Sequence, residues 1–145
     1  MLLPSRYQSY QAWQQALEQM AITITAKDLE LAILQENFQE VQRLFRSQIL
    51  TLSADDIAPD SASRWQSLQT EIYKQMRLLA TDLMLFQASR SSTTRFSRQT
   101  GLKNRLNTLI QYCQELGTLE KYEVGGKRQE AEGRRQEAEG RRQSL

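Results

Sequence analysis

Between Asp82 and Glu115 the chain carries Arg90, Arg95, Arg98, Lys103 and Arg105, with no acidic residue among them. A run of one sign steers an oppositely charged macromolecule by long-range attraction, and the chemistry it suits is docking of an acidic protein surface. The same cations could instead form a solvated face balanced by Glu30, Glu36 and Glu40, the acids of an earlier amphipathic stretch. Other chemistry is poorly supplied. There is no histidine, and the single cysteine, Cys113, shares the helical phase of Leu106 and Leu109, which reads as a small buried hydrophobe. Asp55, Asp56 and Asp60 lack the glycine and terminal glutamate of a calcium loop. General acid/base, nucleophilic and metal-assisted reactions draw on residue types that are missing or scattered here, so no catalytic residue, metal or cofactor is expected.

Two further uses of the basic segment are weaker. Phe96 is its only aromatic residue, whereas single-strand binders stack bases on several rings, which argues against nucleic acid. An amphipathic membrane anchor would need the apolar stripe that the core also needs. Trp13 and Trp65 could anchor a partner, but both lie in phase with apolar stripes and read as buried.

These residues must be positioned by helices. Pro4 and Ser5 open a first segment in which Tyr10, Trp13, Leu17, Met20 and Ile24 recur at steps of three and four. The β-branched run Ile22–Thr25 lowers helix propensity and Asp28 offers an N-cap, so a turn is expected near 24–28. Leu31, Leu34, Phe38, Val41, Phe45 and Leu52 keep the earlier register, which leaves open one continuous helix over 5–50. Residues 51–63 combine Ser, Asp and Pro into a loop. Trp65, Leu68, Ile72, Met76, Leu79, Leu83 and Phe86 mark a long third helix. Ser89 to Thr94 supply capping hydroxyls before a fourth, which holds Leu102, Leu106, Leu109, Cys113 and Leu116 and for which Gly117 is the expected stop. Rods of comparable length joined by short connections pack as neighbours, so the expectation is an all-α antiparallel four-helix bundle over residues 1–120. Three long helices, with the first two continuous, are the alternative.

The formal net charge is +2. Residues 1–124 hold 13 basic and 13 acidic side chains, and residues 125–145 hold six and four, so the excess belongs to the tail and not to the bundle. That tail repeats GKRQEAE, GRRQEAE and GRRQ from Gly126 with a seven-residue period. Each period offers alanine as its only apolar side chain and spends a glycine costing about 1 kcal/mol in a helix. Residues 121–145 are therefore expected to form a disordered charged extension. One cysteine cannot form an internal disulfide, the N-terminus has no signal-peptide pattern, and no apolar run reaches the length of a membrane span. A cytoplasmic protein is expected, with no membrane span and no small-molecule substrate.

The segments SRYQSYQAWQQALEQM, FQEVQRLFRSQIL, SRWQSLQTEIYKQMRLLATDLMLFQASR and LIQYCQEL together resemble the cyanobacterial PatD family, the heterocyst frequency control proteins, over roughly residues 3–117. The resemblance implies a small cytoplasmic, non-enzymatic regulator that acts, in that family, by interacting with the division protein FtsZ and modulating its assembly. The repeat after Gly125 falls outside it. The competing expectation is a structural protein in which apolar surface left on the third helix pairs two chains, and composition does not decide the oligomeric state. An enzyme would require carboxylates from separate helices to converge on a metal, yet no Asp or Glu lies in phase with an apolar stripe.

Overall fold

The computed structural model describes residues 5–132 of the chain, with side chains from Ser5 to Leu119 apart from Asp56. Four helices follow one another: α1 (Arg6–Ile24), α2 (Leu31–Leu44), α3 (Pro59–Gln87) and α4 (Ser92–Glu132). A π-helical turn, Phe45–Ile49, prolongs α2, and a 3-10 turn, Ala54–Asp56, lies in the loop beyond it. No strand occurs among the described residues.

Cross-helix bonds set the directions. Gln99 Nε2 donates to the Ile24 carbonyl (2.6 Å) while Cys113 Sγ donates to the Tyr10 carbonyl (3.3 Å), so α1 and α4 run antiparallel. Trp65 Nε1 donates to Tyr10 Oη (3.0 Å), which aligns the start of α3 with the start of α1. Gln69 Nε2 meets the Ile49 carbonyl (3.0 Å) and Gln87 Nε2 meets Gln35 Oε1 (2.8 Å), so α3 runs opposite to α2. The chain is the up-down-up-down bundle that its stripes specify, with α4 packed closely between α1 and α3.

Its interior is continuous. Trp13, Leu17, Met20, Leu34, Ile49, Ile72, Leu79, Phe86, Leu102, Leu106 and Leu109 are fully buried in one cluster, and Trp65 and Cys113 are nearly so. The large rings are tied by polar handles as well as by area. Trp13 Nε1 donates to the Val41 carbonyl (3.2 Å) and its ring lies 5.6 Å from that of Phe45, which in turn lies 6.4 Å from Tyr73.

The first helix starts where Ser5 accepts from the Gln8 backbone N–H and Gln8 returns a bond to Ser5 N, a capping box. It stops inside the β-branched run. Thr23 and Thr25 turn their hydroxyls back onto the carbonyls of Gln19 and Ala21, and the backbone leaves the helix at Thr25, so α1 and α2 are separate.

Four expectations are corrected. Glu30, not Asp28, occupies the N-cap of α2, and it makes no side-chain cap bond. Leu31, assigned to the core stripe, is 38% exposed at the start of α2, while Leu29, two residues earlier, packs against the core. The loop ends earlier than residue 63: α3 begins at Pro59, whose missing N–H costs nothing in a first turn and whose φ is preset for a helix. Gly117 does not stop α4. No described glycine has a positive φ, and Leu119 still packs on the core, so continuing the helix retains apolar contact that a left-handed cap would forfeit. The backbone of α4 is described as far as Glu132; the rest of the repeat, and with it the expectation of disorder there, lies outside the described residues. Within the described residues no helix is long and apolar enough to cross a membrane.

Candidate partner-binding surface

The basic segment lies at the end of the bundle where α3 passes into α4. After Ala88 caps α3, the chain turns through Ser89–Ser91, and Ser91 Oγ accepts from the Thr94 backbone N–H (3.1 Å) to start α4. The first turn of α4 holds no acidic residue, so the positive end of its dipole adds to the cations instead of being offset.

The five cations do not behave alike. Arg105 is committed to the fold: its Nε donates to Asp82 (2.8 Å) and its Nη1 to Gln75 Oε1 (2.7 Å), with the two charged side chains only 27% and 22% exposed. Arg95 lays its guanidinium over the buried ring of Phe86, 4.6 Å from the centroid, and roofs that end of the core. Arg98 is half-buried, whereas Arg90 and Lys103 are exposed. Among the described residues no carboxylate comes within ion-pair distance of Arg90, Arg95, Arg98 or Lys103.

Among the described residues, no acid of α2 forms an ion pair with the segment. The close neighbours of α4 are α1 and α3, and Glu40 is held by Arg43 on its own helix, which keeps its carboxyl below the usual range. The acid that does reach the segment, Asp82, belongs to α3 and neutralises Arg105 alone.

No protein-family model, no curated protein and no solved structure matches the chain.

The structure adds apolar residues to this end that the stripes did not single out. Phe96 is 69% exposed, Ile22 at the end of α1 62%, and Met84 near the end of α3 62%. Their signal was their phase: Met84 is one residue from Leu83 and Ile22 two from Ile24, which places each off its core stripe.

A shallow groove of about 350 Å³ opens elsewhere, between α1 and α4, lined by Tyr7, Gln11, Gln14, Glu18, Gln114 and Thr118. Cys113 lies at its floor, but burial pushes the thiol up to about 12, and the neutral S–H bonds the Tyr10 carbonyl. A thiol so seldom ionised is a poor nucleophile. Among the described residues, no three Cys, Asp or Glu side chains gather as a metal site requires.

Proposed function

We propose that this chain is a non-enzymatic regulatory protein that works by binding another protein through the α3/α4 end of the bundle. The observation that carries this reading is the set of unneutralised cations, Arg90, Arg95, Arg98 and Lys103, held on a rigid scaffold beside exposed apolar side chains. Such a set speeds encounter with an acidic surface and fixes its orientation. The likeness to the PatD family names FtsZ as the partner and modulation of its assembly as the outcome, with heterocyst frequency as the trait affected in a filamentous cyanobacterial host. A cytoplasmic location follows from that partner.

The test is light scattering of purified FtsZ polymerising with GTP, with and without this protein. A change in polymer mass that is lost on reversing Arg98 and Lys103 to Glu supports the proposal; indifference of the polymer to the wild-type protein refutes FtsZ as the partner.

A second reading rests on α3, where Tyr73 is 48% and Met84 62% exposed: two copies could pair through this helix as a structural homodimer. Sedimentation velocity across a range of concentrations separates the two, because a concentration-independent monomer excludes the dimer.

A further inference from the structure

We infer that the α4 flank from Phe96 to Lys103 docks a short acidic protein segment that seats one apolar side chain against Phe96. The inference rests on the partner-binding reading above and assigns the chemistry of what is bound. Phe96 and Lys103 are seven residues apart, two turns of helix, so they share a face about 10 Å long. Gln99 stands between them and spends its amide on the Ile24 carbonyl (2.6 Å), which locks this part of α4 to the end of α1. The result is an exposed aromatic ring, 69% accessible, flanked by cations on one helix face.

The charge specifies the occupant. Arg95 and Arg98 flank Phe96, and neither they nor Lys103 meets a carboxylate among the described residues, so an incoming acidic chain displaces no existing ion pair. Arg95 is already held over Phe86, so fixing it further costs little side-chain entropy. Apolar residues at the centre of a contact with charges at its rim are the arrangement in which the anchor supplies most of the affinity and the charges supply rate and specificity.

The flank also discriminates against two other polyanions. A single aromatic side chain gives nucleic acid one stacking platform where tracking a strand uses several. A bilayer meeting the tip of the bundle would reach Arg90 and Phe96 but not Lys103, two turns down the side of the rod.

The experiment measures fluorescence anisotropy of a labelled peptide in which glutamates flank a central Leu-Leu-Phe. A control peptide has those three residues replaced by Ser, and anionic phosphatidylglycerol vesicles and a single-stranded oligonucleotide serve as rival ligands. The full-length protein is compared with Phe96→Ser, with Arg98→Glu/Lys103→Glu, and with Arg46→Glu, an exposed cation in the π-helical turn after α2. The wild type binds the first peptide at least tenfold more tightly than the control peptide, Phe96→Ser removes that difference with the salt dependence kept, the double reversal flattens the salt dependence, and Arg46→Glu does neither. Circular dichroism confirms that each variant is folded. Absence of peptide binding, equal binding by Phe96→Ser, or tighter binding of vesicles or oligonucleotide overturns the inference. A response of FtsZ polymer that survives Phe96→Ser overturns it while leaving the regulatory reading intact, whereas peptide binding with no FtsZ response upholds it and refutes only FtsZ as the partner.

Discussion

Arg105 of α4 and Asp82 of α3 face each other at 2.8 Å, and the same guanidinium reaches the nearly buried amide oxygen of Gln75 at 2.7 Å. One side chain thus satisfies two polar groups that would otherwise sit half-dry between helices. Arg105→Ala strands both, and is expected to cost about 1–3 kcal/mol, the range for leaving a buried polar group unpaired. Arg98→Ala and Lys103→Ala, which break no ion pair, are expected to stay within about 0.5 kcal/mol of wild type. Urea denaturation of the three variants checks the contrast.

Trp65 and Tyr10 form a buried bond between rings at the start of α3 and of α1. Tyr10→Phe keeps the ring and removes the acceptor, so it is expected to cost about 1–2 kcal/mol, while Trp13→Ala, which empties a fully buried site, is expected to cost about 3–5 kcal/mol. Thermal unfolding should rank Trp13→Ala far below Tyr10→Phe.

Cys113 gives the bundle an alkaline weakness. Burial, with a lesser contribution from the charge of Glu18, pushes its thiol up from 9.0 to about 12 in the folded chain. A raised value means that the folded state keeps a proton the unfolded chain gives up, so this stabilisation is complete below pH 9 and declines as the pH rises towards 12. Stability of the wild type should fall more steeply than that of Cys113→Ala between pH 9 and 11. At pH 8 the native thiol should react with a disulfide reagent far more slowly than the urea-unfolded one; comparable rates would contradict its burial.

Gln99 caps α1 from another helix by donating to the Ile24 carbonyl. Replacing it by Ala is expected to cost about 0.5–1.5 kcal/mol and to quicken amide exchange in the turn from Thr25 to Glu30 before exchange elsewhere increases. Hydrogen exchange read by mass spectrometry would detect that order.

Truncation after Val124 removes no residue of the described core, whose last fully buried member is Leu116 with Leu119 packed against it. The midpoint of thermal unfolding should be nearly unchanged. A drop of several degrees would show that the charged repeat contributes to the fold.

Helix identity was legible because burial and phase coincide in this chain. Leu102, Leu106, Leu109 and Leu116 recur at three- and four-residue steps, and the structure buries each of them completely. Boundaries were less legible where one residue type serves two roles. Pro59 marks a loop by composition and a helix start by φ, and Gly117 is a stop only if its backbone turns left-handed, which depends on what the following residues bury.

For the surface, residue type alone determined that the segment from Arg90 to Arg105 is basic and that the chain has no histidine and a single cysteine. It could not sort those cations, because the partners that sort them are remote in sequence: Asp82 lies 23 residues from Arg105, and Gln99 reaches back 75 residues to Ile24. Only the packing of α4 between α1 and α3 withdrew Arg105 from the surface, set Arg95 over Phe86 and left Phe96 in water. Periodicity records which side of a helix is apolar. Which neighbour that side meets is decided when all four stripes close around a single interior, since each can be buried only against the others.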